Sequence, residues 1–231
     1  MSPTPQTIRK AFQHRMEELR ARLLHMGGLV EAAVHESLHA VLEREPTRAE
    51  TVIGGLEPEI NELEREVDER VLSLLALQQP LAVDLRFAAA ALKIGNELER
   101  MGDLAVNIAQ GAERLLRQPL GPPLVDLPRM ASQANAMLRM SLDALMRGDA
   151  GLARQVLPAD HAVDRLRDAI FHRLVEAMAQ EPGRAELNLG LLFVARNLER
   201  IADHATNIAE DVIFWLEGTD VRHGHAAAPE A

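Results

Sequence analysis

The sequence predicts an all-α fold of two tandem, structurally similar three-helix bundles, and three observations carry that prediction. The first is composition. Of 231 residues, 47% are hydrophobic, 26% charged and only 3% aromatic, and Leu, Ala, Glu and Arg dominate. This is the make-up of packed helices, and it excludes an all-β protein or a disordered polymer. The second is periodicity: long segments place apolar residues at three- and four-residue spacing between a few clear stops. The third is an internal repeat. ELERMGDLAVNIA (Glu97 to Ala109) recurs as NLERIADHATNIA (Asn197 to Ala209), so Glu99, Asp103 and Asn107 return as Glu199, Asp203 and Asn207. Upstream, Glu57 and Asn61 align with Asp160 and Asp164.

The first helix is predicted from about Thr7 to Glu45, stopped by Pro46. Thr47 with Glu50 three positions on reads as a capping box that opens the second, which ends at Gln78-Gln79-Pro80. The third begins near Leu81 and continues to about Arg117, ahead of QPLGPPLVDLP, the one Pro/Gly-rich stretch long enough to link two halves. The fourth runs from about Pro128 to Arg147; Gly148 and Asp149 read as its stop and the next start. The fifth extends toward Gln180 before EPG, and the sixth reaches about Glu217. The tail is predicted to be disordered over roughly its last ten residues. The organisation is therefore a first three-helix unit over 1–117, a linker over 118–127, a second unit over 128–218 and a tail over 219–231.

Charge and composition exclude several functions. A formal net charge of −10 repels a phosphate backbone, and no Lys/Arg run or aromatic platform overrides it, so nucleic acid is not an expected partner. Without cysteine there is no disulfide framework, thiolate zinc site, iron–sulfur cluster or cysteine nucleophile, and a reducing compartment is expected. The N-terminus has no apolar signal region, and FAAAALKIG (Phe87 to Gly95) and VIFWL (Val212 to Leu216) fall short of the roughly 20 residues that span a bilayer. The expected location is cytoplasmic, with any membrane association peripheral and through partners. No GxxxxGK[ST], GxGxxG or GxSxG motif supports nucleotide-driven or acyl-transfer chemistry.

What the repeats do carry is oxygen ligands. Residues four apart share a helix face, so Glu99, Asp103 and Asn107 form one polar ridge and Glu199, Asp203 and Asn207 a second. The preceding helix of each half has its own stripe: Glu57, Asn61, Glu64 and Asp68 in the first, Asp160, Asp164 and Asp168 in the second. Two carboxylates about 6 Å apart repel by roughly 3 kcal/mol at an effective dielectric near 20, so facing stripes call for cations, Arg partners or raised pKa values. Such donors suit hard ions, with Mg, Mn or Fe favoured and Zn allowed. Acidic residues at this spacing also occur on solvated faces, with Arg100 and Arg200 available as salt-bridge partners; the repetition in equivalent positions is what favours metal.

Other motifs are discounted. His35-Glu36-Ser37-Leu38-His39 spells HExxH but lacks a third-ligand pattern and a counterpart in the second half, where Leu138, Arg139 and Met140 stand. His204 points away from the Asp203 ridge, as a surface or interhelical histidine, and His223 and His225 belong to a solvated tail. Met137, Met140 and Met146 read as core filler.

LLHMGGLVE, QQPLAVDLR (Gln78 to Arg86), the two copies of the ExxxD segment and the ending FWLEGTDVRH together resemble the PhoU family of phosphate-uptake regulators, over nearly the whole chain. The resemblance implies a six-helix protein of two three-helix bundles, with E(D)xxxD motifs that bind multinuclear metal centres at Glu99, Asp103, Glu199 and Asp203 and at Glu57, Asn61, Asp160 and Asp164. Asn61 departs from the carboxylate pattern, which implies a weaker or differently populated first centre, with Glu64 and Asp68 placed to compensate; Ala202 replaces Gly102. It also implies a regulator and not an enzyme: a repressor of the phosphate-starvation response and a modulator of phosphate uptake. Such a protein acts as an adaptor between the phosphate ABC transporter ATPase and a sensor histidine kinase. A homodimer is also allowed. The residues by themselves leave open a metal-binding or storage bundle, or a metal-dependent hydrolase or oxidase. Asp84 and Arg86 read either as part of a partner surface or as the opening turn of a helix.

Overall fold

Apolar periodicity is realised as helix: among the described residues, every regular element of the computed structural model is helical. The structure describes residues 5–78, 82–115 and 125–222. Helix α1 spans Pro5–Glu43, α2 Pro46–Thr51, α3 Glu57–Gln78, α4 Val83–Leu115, α5 Leu127–Arg147, α6 Ala150–Gln180 and α7 Ala185–Glu217. A π-helical turn, Val52–Leu56, joins α2 to α3 without a break, so the two form one rod and the six expected rods are present. A 3-10 turn, Pro182–Arg184, precedes α7. The linker residues 118–124, Pro80 and the tail from His223 onward, His225 included, lie outside the described residues.

Local chemistry sets most boundaries. Gly148 ends α5 in the left-handed region at φ 62°, and Asp149 then caps α6 by accepting a hydrogen bond from the Leu152 N–H at 3.0 Å. Asp126 caps α5 in the same way, from Arg129 at 3.2 Å. The capping box at Thr47 is not formed. Pro46 takes the first helical position and Glu45 the cap, without a side-chain cap bond, because proline's fixed φ and missing N–H suit that place. Nor does apolar spacing announce the π turn, which contains Gly54 and Gly55 and stops just before Glu57. In the second half, Pro158 interrupts the backbone ladder of α6 just before Asp160. Both acidic stripes thus begin at a helix irregularity.

Helices α1, α3 and α4 pack together as one bundle and α5, α6 and α7 as the other. The two are joined chiefly by α4 against α7, and also by α1 against α5. One continuous apolar cluster runs through both, including Phe87, Ile94, Leu98, Met101 and Ile108 of α4 and Leu198, Ile201, Ile208 and Val212 of α7. Ala88, Ala90 and Ala91 of α4 and Ala202, Ala205 and Ala209 of α7 are buried small residues that let neighbouring helices approach closely. Gly102 permits a close approach in the first bundle, where a Cβ would lie 3.2 Å from Ile60. Met137 is core filler as expected and Met140 is partly buried against the core, but Met146 is 38% exposed because its place on α5 turns it off the apolar stripe. Among the described residues no helix is long and apolar enough to cross a membrane.

Candidate functional site

In the first bundle the core-facing residues of α3, Ile60, Leu63, Val67 and Val71, leave the stripe Glu57, Asn61, Glu64 and Asp68 on the flank beside α4. Glu99 and Asp103 occupy the adjoining flank of α4, next to buried Leu98, Met101 and Gly102. The carboxylates feel one another. Partial burial, then Asp103, Glu64 and Glu57, raise the pKa of Glu99 above the usual carboxylate range. Glu64 is raised by burial, Asp68 and Asp103. Asn61 donates its amide N–H to Glu57 Oε1 at 2.7 Å, which leaves its own Oδ1 buried without a hydrogen-bond partner.

The second bundle repeats the arrangement with changes along α6, where Asp164 stands at the register of Asn61 and Phe171 at that of Asp68. Partial burial together with Glu199, Asp160 and Asp164 raises the Asp203 carboxyl to about 6, and burial with Asp164 raises Asp160, whose Oδ1 is likewise buried and unpartnered. At the register of Glu64, however, α6 carries Arg167. Its guanidinium lies 3.7 Å from Asp164, 3.4 Å from Asp168 and 3.9 Å from Glu199. The first cluster therefore lacks an internal cation at the place where the second has one.

The acidic stripes of α3 and α6 are thus brought beside the ridges of α4 and α7. Among the described residues, though, no group of three or more His, Asp or Glu side chains stands in a geometry that holds a metal ion. Asn107 is exposed at the end of its ridge. Asn207 is engaged elsewhere: its amide donates to Glu97 Oε2 at 2.9 Å across the junction of the bundles. The same oxygen meets His204 Nδ1 at 2.6 Å. Lys93 pairs with Asp211 at 3.0 Å, and Arg86 Nε donates to the Trp215 carbonyl at 3.0 Å. As the partner number rises along α7 it falls along α4, so the two helices run antiparallel. Sequence reading missed Glu97 and Lys93; the signal for both was that the repeat fails there, with Asn197 and Phe193 in the second copy.

The HExxH residues form no cleft. The His35 and His39 rings lie against each other at 4.2 Å, Glu36 accepts from Arg48 at 2.8 Å, and His39 pairs with Glu43 at 2.7 Å. Arg86 serves the junction, and Asp84 lies in the first turn of α4, near its positive end.

Comparison with known proteins places nine-tenths of the chain. A family model described as the PhoU domain matches residues 23–112 and again residues 127–212. The "Phosphate-specific transport system accessory protein PhoU homolog" of Pseudomonas aeruginosa is 38% identical over 217 residues, covering 94% of this chain and 89% of that protein. The protein of the same description from Caulobacter vibrioides is 38% identical over 92% of each. Among solved structures, the crystal structure of PhoU from Pseudomonas aeruginosa matches with a TM-score of 0.85 at 37% identity, over 90% of this chain and 100% of that one. That of the phosphate transport system regulatory protein PhoU from Streptococcus pneumoniae matches at 0.81 and 26% identity, over 91% and 99%.

Proposed function

This chain belongs to the PhoU family, and on that premise we propose that it is a negative regulator of the phosphate-starvation response and a modulator of phosphate uptake. It acts at the cytoplasmic face of the membrane as an adaptor between the ATPase of a phosphate ABC transporter and a sensor histidine kinase. The observation that carries this reading is the double match: both halves correspond to PhoU domains, and relatives that align over nine-tenths of the chain are accessory proteins of phosphate-specific transport. The architecture supports it physically. One core runs through both bundles, so the protein is a two-sided body on which separate faces remain available for separate partners.

The carboxylate clusters are proposed as metal centres. In the first, Glu57, Asn61, Glu64, Asp68, Glu99 and Asp103 supply the ligands; in the second, Asp160, Asp164, Glu199 and Asp203. The all-oxygen donor set fits hard divalent or trivalent ions such as Fe, Mn or Mg, with Zn less selected. The buried, unpartnered Oδ1 atoms of Asn61 and Asp160 support the assignment, because a buried acceptor without a donor is costly and a cation satisfies it. When bound, the ion supplies positive charge that offsets the repulsion within each cluster. The residues of α3, α4, α6 and α7 named above would hold it, and an ion shared by the two helices of a pair would stiffen that pair.

The test is a phosphate-starvation reporter, such as secreted alkaline phosphatase, in phosphate-rich medium. Deletion of the gene is expected to raise its activity and restoration to lower it again. Unchanged activity in a strain with no second copy of the regulator would reject this role and leave a metal-binding or storage bundle as the next reading.

A further inference from the structure

The chain contains five phenylalanines, and two of them stand exposed together on the second bundle. Phe171 of α6 is 48% exposed, Phe193 of α7 is 54% exposed, and Leu189, one turn before Phe193, is 49% exposed. With Leu192 and Ala195 they line a groove of about 440 Å³. Val175, one turn beyond Phe171, continues the apolar strip. The repeat does not demand this groove: the corresponding first-half residues are Asp68, Lys93 and Ala89, so it is a property of the second half alone. Large apolar side chains left in water forgo the stabilisation of burial, and a contiguous patch of them marks an interaction surface.

The edge of the groove narrows the choice of occupant. Its charged residues are Arg167, Arg196 and Glu199. Arg167 already faces Glu199. Arg196 is exposed and makes no ion pair among the described residues. On a chain of net charge −10, an uncommitted guanidinium beside an apolar groove is a specific local feature, complementary to acid. A second copy of the chain would set the same cation on both sides of a two-fold contact. A groove between two packed helices is also shaped to take a third helix by the ridges-into-grooves rule.

We propose that the α6/α7 groove is the docking site of an amphipathic helix from a partner protein, one whose apolar stripe seats on Phe171, Leu189 and Phe193 and whose flanking carboxylates meet Arg196. The inference rests on the adaptor reading for the nature of the occupant and adds to it the surface and the chemistry of the contact. The probes are two synthetic helical peptides of about 18 residues with the same leucine stripe on an alanine background, one flanked by Glu and the other by Lys. Both are titrated by fluorescence anisotropy into the full chain. The Glu peptide is expected to bind about tenfold more tightly than the Lys peptide; Phe193→Asp weakens it by about tenfold, and Arg196→Glu reverses the preference, with helix content by circular dichroism unchanged. Equal binding of the two peptides, absence of binding, or full binding by Phe193→Asp overturns the proposal. So does a wild-type dimer in sedimentation that Phe193→Asp splits, or wild-type flotation on phosphatidylglycerol vesicles that Phe193→Asp abolishes. The two readings fail separately. A reporter kept repressed by Phe193→Asp, in a strain where deletion derepresses it, sinks the groove and spares the adaptor. A reporter indifferent to deletion sinks the adaptor, while the peptide titration still reads the groove.

Discussion

Glu97 of α4 and His204 of α7 meet at 2.6 Å across the junction of the two bundles, and the pseudo-equivalent pair, Asn197 and Leu104, makes no such bond. The two halves share a fold but not a seam. Among the polar contacts across the α4/α7 junction, Glu97 with His204 and Lys93 with Asp211 pair positions where the repeat has diverged, while Asn207, which also meets Glu97, has the identical counterpart Asn107.

Removing Glu97 therefore loosens the junction. Burial alone would raise its pKa, but hydrogen bonds from His204 and Asn207 outweigh that and hold it below the ordinary value of 4.5. Glu97→Ala leaves the buried His204 and the half-buried Asn207 without their acceptor and is expected to lower stability by about 2 kcal/mol at neutral pH in urea unfolding, more than the same change at exposed Glu62. The lowered pKa sets the sign of the pH effect. The contribution is complete above about pH 4.5 and is lost as pH falls through the folded-state value, so wild type and variant converge in acid. A gap that persists undiminished there would count against this account.

Asp203 has the opposite sign. Its pKa is raised from 3.8 to about 6, so the folded protein holds this proton more tightly than the unfolded chain. Protein freed of metal by chelator is expected to lose stability as pH rises from about 4 to 6 through this group, with the penalty complete and constant above. Asp203→Asn removes the penalty. It stabilises the metal-free protein at pH 7.5 and has no advantage near pH 4, by an amount that solvent screening at this exposed edge keeps modest. Thermal melts of both proteins at the two pH values decide it. An Asp203→Asn protein no more stable than wild type at pH 7.5 would refute the clustering argument.

The two clusters also differ in charge. Arg167 stands 3.9 Å from Glu199 at the register where the first bundle has Glu64, so the second cluster is partly neutralised from within. Manganese titration by calorimetry is expected to show a tighter site that Glu64→Arg removes and a weaker one that Arg167→Glu strengthens by about tenfold or more. Asp103→Ala combined with Asp203→Ala lowers metal per chain, by elemental analysis of untagged protein, with helix content retained. Metal content unchanged in that double variant would reject the ligand assignment.

Much of this was legible because it is local. The spacing of Leu, Ala and Val, the stop at Gly148 and the cap at Asp149 act within one or two turns, and so the six rods could be read in order. The stripes from Glu57 and Asp160 and the ridges at Glu99 and Asp203 were legible for the same reason, since helical periodicity alone puts them on one face. The π turn at Val52–Leu56 was not, because a run of apolar residues and glycines reads alike in either ladder. Thr47 misled because a proline beside it took the helix start.

By itself the sequence determined the helical class, the duplication, the family and the residue types available as ligands. Tertiary structure alone decided which of those residues face each other. Asn207 belongs to the ridge by spacing, yet it serves Glu97 because α7 is rotated against α4 so as to turn that amide into the junction. Arg167 reads as one more surface cation until α6 and α7 pack and set it among Asp164, Asp168 and Glu199. Phe171 and Phe193 are separate apolar residues in the chain and become one groove only when their helices lie side by side. The physical reason is common to all three. Periodicity is a property of a single segment, whereas the rotation and register of one helix on another are set by the whole buried surface between them.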